Sequence, residues 1–90
     1  MSYYVYVLQS ETTGRYYIGH TNDLDRRVRQ HNDSEYQGSM TTKRFPGPWE
    51  LVYQEIYDSR GEAMQREKHL KSWKSRQRIA QLVESRQSRD

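Results

Sequence analysis

Apolar and polar positions change rhythm several times along this ninety-residue chain, and each rhythm predicts an element. Residues 3–9, Tyr-Tyr-Val-Tyr-Val-Leu-Gln, are rich in the aromatic and β-branched types that fit a strand. Glu11 to Arg15 reads as a turn in which Gly14 is free to take a positive φ. Residues 16–20 return as a second strand, so the chain opens with an antiparallel hairpin. A helix follows, capped by Thr21 or Asn22. Asp23 and Asp25 suit its positive end, and Leu24, Val28 and His31 recur at helical spacing. Residues 32–48 make a polar loop closing on Phe45-Pro46-Gly47-Pro48, long enough in so small a chain to be a candidate for function. Residues 49–57 alternate again, with Trp49, Leu51, Tyr53, then Ile56 and Tyr57 as the apolar set of a third strand. Asp58 or Ser59 caps a helix to about Trp73, and Lys74 to about Ser85 forms a second helical stretch with Ile79, Leu82 and Val83 on one side. The order β-β-α-β-α-α predicts an α+β fold, a small three-stranded antiparallel sheet flanked by helices.

Length narrows this to one domain, over residues 1–85, followed by a frayed basic tail at 86–90. A core this small leaves no room for a large internal cavity, so an active site is expected in a surface groove. The absence of cysteine excludes disulfides, zinc ribbons and thiol chemistry. The N-terminus has no basic n-region or small-residue cleavage site, and no apolar run approaches the roughly 20 residues that span a bilayer. A cytoplasmic protein without membrane contact is the expectation. Charge is uneven: residues 1–65 hold seven Lys/Arg and nine Asp/Glu, net −2, whereas residues 66–90 hold eight and three, net +5. A basic C-terminal third attracts polyphosphate or is simply a solvated helix face.

Two helical positions depart from a purely structural pattern. Glu67 lies four residues after Ala63 and three before Leu70, on or beside the apolar stripe of its helix. A carboxylate there is costly unless it is paired, with Lys71 or Arg27, or bound to a metal, or unless the helix is rotated so as to expose it. Arg27 sits at the edge of the buried face of the first helix, and His31, four residues on, shares its side.

These residues belong to a longer pattern. Tyr4-Val5-Tyr6 and Tyr17-Ile18-Gly19, with ten residues between Tyr6 and Tyr17, resemble the two halves of the GIY-YIG nuclease signature. Thr21-Asn22-Asp23-Leu24, Arg27-Val28 and His31 resemble the family's first helix. Trp49 to Tyr53 resembles its third strand, and Glu62-Ala63, Arg66-Glu67-Lys68 and Leu70-Lys71 resemble the segment holding its metal-binding glutamate. The similarity covers roughly residues 2–83 and is greatest to the small single-domain bacterial members. Tyr4 replaces the first glycine of the signature, and His20 stands where serine or lysine is more usual.

The resemblance implies an endonuclease that hydrolyses phosphodiester bonds in nucleic acid, DNA rather than RNA, with one divalent ion, Mg²⁺ or Mn²⁺. It implies Tyr6 as general base, its pKa lowered from about 10 by a neighbouring cation or metal-bound water. Tyr17 would orient Tyr6 or a phosphate oxygen, Arg27 would pair with phosphate oxygens, His31 would support Tyr6 or shuttle a proton, and Glu67 would hold the metal. Gly19 would allow close backbone approach, and Lys43, Arg44, Lys71 and Lys74 are candidate nucleic-acid contacts. A domain this small is expected to rely for specificity on a partner protein or on flexible substrate ends. The alternative is a nucleic-acid-binding module that keeps the fold without turnover.

Overall fold

A computed structural model describes residues 2–33 and 47–87. Three strands, β1 (Tyr3–Ser10), β2 (Tyr16–Thr21) and β3 (Trp49–Tyr57), form one antiparallel sheet in the order β2-β1-β3. The helices are α1 (Leu24–Asn32), α2 (Arg60–Ser72) and α3 (Arg76–Gln87), so the expected element order holds. Ser10 fastens the hairpin: its carbonyl accepts from Gly14 N and its hydroxyl from Thr12 N and Thr13 N. Gly14 adopts φ +76, as the turn requires.

The central strand is covered on both sides. Val5 and Val7 face Ala63 and Leu70 of α2 and Ile79 and Val83 of α3. Tyr6 and Leu8 face the other way, into a second cluster with Trp49, Leu51 and the α1 residues Leu24 and Val28. Alternation along one strand thus builds two cores, with α1 on one face of the sheet and α2 and α3 on the other.

Several boundaries differ from the sequence-based expectation. Asp23, not Thr21 or Asn22, caps α1: its extended backbone lets the carboxylate accept from Arg26 N at 3.1 Å. Thr21 still belongs to β2 and uses its hydroxyl to accept from Asp23 N. Ser59 caps α2 by accepting from Glu62 N. The last helix starts at Arg76 because Lys74 takes φ 50, a left-handed conformation that ends helical continuity, and it extends to Gln87, through the first residues assigned to the tail. In β3 the register shifts between Val7 and Leu8, which pair with Tyr53 and Leu51, and Val52 is accommodated as a bulge. Beyond it Tyr53, Glu55 and Tyr57 share a face. Ile56, expected among the apolar set, falls opposite Tyr4 and is 63% exposed.

Candidate active site

Strand register decides where the signature residues meet. Tyr6 lies opposite Gly19 and Leu8 opposite Tyr17, so Tyr6, Tyr17 and Gly19 share the α1 face. On α1, Arg27 and His31 are four residues apart and project toward the same tyrosine. The Tyr6 hydroxyl lies 2.9 Å from His31 Nε2 and accepts from Arg27 Nε at 3.3 Å. The Tyr17 ring packs 4.6 Å from His31 and 6.3 Å from Tyr6, centroid to centroid. Arg27 also donates to Gln30 Oε1 at 3.1 Å.

Burial sets the electrostatics of this group. Tyr6 is 1% exposed, and its pKa rises to about 12, chiefly by desolvation, against the lowering effect of the Arg27 hydrogen bond. The cation expected to depress it is therefore present but outweighed. His31 is pushed down to about 4 by burial and by the charge of Arg27, and is neutral at pH 7. When Tyr6 donates to Nε2, the His31 proton resides on Nδ1. Gly19 packs directly over the phenol: a Cβ at this position would meet the Tyr6 hydroxyl at 2.5 Å and Tyr17 Cε2 at 3.2 Å. What the missing side chain makes room for is Tyr6.

Glu67 comes from the other face. It sits on α2, with one carboxylate oxygen 2.8 Å from His20 Nδ1 and the other 3.5 Å from Lys71 Nζ. His20 is opposite Val5 and so belongs to the α2 side of β2. Tyr6, Tyr17, Arg27 and His31 are thus in mutual contact, whereas Glu67 reaches Tyr6 only as a nearby negative charge that raises its pKa. β2 is an edge strand, and at its free edge the two faces meet. A polar cleft of about 390 Å³ lies where β2 ends and runs into α1, with Tyr3 of β1 in its lining. Arg26, Arg27 and Gln30 line it from α1, and His20 and Arg60 from elsewhere. Arg27 and the imidazole that holds Glu67 therefore open onto one space.

Sequence reasoning flagged His20 only as a departure from the signature and missed its bond to Glu67. The signal available was strand alternation: His20, one position after Gly19, points to the opposite face of β2. Lys71 and Lys74 line a second cleft, described below. Lys43 and Arg44 lie outside the described residues.

A family model described as the GIY-YIG catalytic domain matches residues 2–80. The chain belongs to the GIY-YIG family. A UPF0213 protein of Staphylococcus saprophyticus is 36% identical over 81 residues, spanning 90% of this chain and 93% of that protein. A UPF0213 protein of Staphylococcus aureus is 36% identical over 85 residues, 94% of this chain and 98% of its own. The solution NMR structure of a UPF0213 protein from Bacillus halodurans is 38% identical and superposes with a TM-score of 0.56, covering 93% of this chain and 84% of that one. GIY-YIG membership implies nuclease activity on nucleic acid, and nucleases of this type use divalent metal ions. No helix among the described residues is long and apolar enough to cross a membrane.

The donor set of this GIY-YIG chain can be tested against such an ion. Among the described residues no group of three or more His, Cys, Asp or Glu could hold a metal. The described residues therefore suit a hard ion held by one carboxylate, with waters and substrate phosphate completing its shell. Glu67 is 19% exposed and bonded to His20, which lines the cleft, and Lys71, half-exposed, can swing from its second oxygen at small cost. The residues fit a single-carboxylate site.

Proposed function

We propose that this protein is an Mg²⁺- or Mn²⁺-dependent endonuclease, with DNA as substrate, whose reaction centre is the edge of β2 between Arg27 and Glu67. The observation that carries the reading is the Tyr6 hydroxyl, buried beneath a glycine between a neutral imidazole and a guanidinium.

A phosphodiester resists attack because it is anionic and its nucleophile, water, is weak. Arg27, with a planar guanidinium suited to two phosphate oxygens, would orient the group and neutralise its charge. A phenol with a pKa of about 12 is not ionised at pH 7, so Tyr6 acts as a base only if it passes on its own proton. His31 Nε2, 2.9 Å away, is positioned to take it. Water loses a proton to the Tyr6 oxygen, the Tyr6 proton moves to His31, and the new P–O bond forms as the bond to the leaving oxygen breaks. With a pKa near 4, His31 returns that proton readily, to solvent or to the leaving oxygen. Tyr17 holds the His31 ring in place by packing. Glu67, oriented by His20, would hold the divalent ion, and the chemistry that ion supplies is charge stabilisation on the departing oxygen.

The test pairs cleavage with metal binding. Purified protein is expected to cut DNA in Mg²⁺ or Mn²⁺ and to stop in EDTA. Glu67→Ala is expected to abolish both cutting and calorimetric Mn²⁺ binding, while Glu62→Ala, one carboxylate earlier on α2, keeps both. Arg27→Lys is expected to rescue Arg27→Ala poorly, because an ammonium lacks the bidentate fork. Wild-type protein that binds DNA and cuts nothing in either metal would replace this reading with that of a binding module.

A further inference from the structure

A second cleft, of about 620 Å³, runs along β2 away from the first, between the β1–β2 turn and the junction of α2 with α3. Four cationic side chains line it, Arg15, Lys71, Lys74 and Arg76, and no lining residue carries a carboxylate. Ile18, Leu70 and Ile79 add an apolar lining. Tyr16 contributes an aromatic ring, with the Arg76 guanidinium 6.0 Å from its centroid. Two of the lining residues belong to the candidate active site as well. Tyr17 packs on His31, and Lys71 pairs with Glu67.

We propose that this cleft receives a single-stranded flank of the nucleic-acid substrate and leads it to the reaction centre at β2, an inference that rests on the nuclease reading above. Chemistry argues for one strand. Apolar walls and an aromatic ring suit an unstacked base, and a cationic rim suits its phosphates, the combination by which proteins hold single strands. A base inside a duplex is already stacked and has no use for such walls. The rim is also built into the fold. Arg76 lies against the hairpin turn so closely that a Cβ on Gly14 would meet its Nη2 at 2.7 Å. Lys74 stands on the left-handed residue that joins α2 to α3.

The experiment measures binding in EDTA, so that it does not depend on hydrolysis. The probes are a dye-labelled single-stranded DNA oligonucleotide and a blunt-ended duplex of two fully complementary strands, each titrated across a salt series. The variant is Lys74→Gly combined with Arg15→Gln. It removes two rim charges, one at a backbone position that favours glycine and one from an exposed turn residue. Arg29→Gln, on the exposed side of α1, is the control. The double variant is expected to bind the single strand more weakly, with a log–log salt slope shallower by about 1.4, or ~0.7 per lost phosphate contact. Its blunt-duplex affinity and the single-strand slope of Arg29→Gln are expected to stay at parental values. Parental single-strand affinity and slope in the double variant would overturn the proposal, and so would an equal loss on the blunt duplex, which would mark the rim as general surface charge. Failure of the nuclease reading is separate: a protein that binds the strand as described but cuts nothing in Mg²⁺ loses its catalytic assignment and keeps the cleft.

Discussion

Each face of the sheet carries a cluster with two tyrosines and one arginine, and the two clusters are built for opposite ends. On the α2 face the hub is a carboxylate. Glu55 accepts from Arg66 Nε and Nη2 at 2.9 and 3.0 Å, and from the hydroxyls of Tyr53 and Tyr57 at 2.5 and 2.6 Å. Burial pushes its pKa up, but these four hydrogen bonds outweigh burial and hold it below the usual carboxylate value. On the α1 face the hub is a neutral phenol, Tyr6, set between His31 and Arg27, and the nearest carboxylate of the site, Glu67, is mounted across the sheet. Where a carboxylate closes the circle, tyrosine and arginine are structural. Where the carboxylate is withheld, the same residue types leave a cation facing a cleft and a buried phenol hydrogen-bonded to an imidazole behind it.

The largest effect should separate the two clusters by activity. Tyr6→Phe removes one oxygen and keeps the ring, so it is expected to lower the cleavage rate by about 10²- to 10⁴-fold with the fold intact. Tyr53→Phe, the matching deletion on the other face, is expected to leave the rate within about twofold and to reduce stability by about 1 kcal/mol. Equal losses in the two variants would erase the distinction. Glu55→Ala should invert the pattern. It strips Arg66 and two phenols of their acceptor, and because the pair is only partly buried a chemical-denaturation series is expected to show a loss of about 2 kcal/mol, with the cleavage rate of the folded fraction unchanged.

Acid should distinguish the clusters again. The folded pKa of His31, about 4, lies below its ordinary 6.5, so the native state prefers the neutral ring. Stability from this source is complete above pH 6.5, where neither state takes up the proton. It declines as pH falls toward 4, because the unfolded chain binds the proton first, and the integrated loss is on the order of 3 kcal/mol. Glu55, also depressed, gives up its contribution only at lower pH, from about 4.5 downward. Denaturation midpoints of His31→Asn should therefore be flatter than wild type between pH 6.5 and 4, and those of Glu55→Gln flatter below that window. The smallest effect is expected at the α2–α3 junction. Lys74→Gly relieves a left-handed residue and should raise stability by about 1 kcal/mol in a thermal melt.

Much of this was legible in the sequence because it follows from periodicity. Val5 and Val7 against Tyr6 and Leu8 is a period of two, and it foretells a central strand whose two faces differ. Arg27 and His31 at a spacing of four foretell a shared helical side, and the contact with Tyr6 follows once α1 covers that face of the sheet. What periodicity does not carry is the relation between faces. The placement of Glu67 across the sheet from Tyr6, and its bond to His20, depend on which side α2 packs and on β2 being the edge strand, and neither is written in local spacing. The bulge at Val52 likewise depends on a pairing partner far along the chain, and it is why Tyr53, Glu55 and Tyr57 come to one face while Ile56 is left exposed. The depth of Tyr6 escaped as well. A sequence shows a tyrosine and an arginine near each other, but not that burial outweighs the cation in setting the proton affinity of the phenol.

β1 has a consequence for quality control. Its odd residues anchor one core and its even residues the other, and Tyr6 is among the even ones. A slip of one residue in pairing would turn Val5 and Val7 toward α1 and Tyr6 toward α2, ruining both cores together with the phenol's place beside His31. A one-residue slip leaves no well-packed chain with a misplaced hydroxyl. For such a slip, loss of packing and loss of the Tyr6–His31 contact are one event, so a cell that discards unstable copies discards these without inspecting the site.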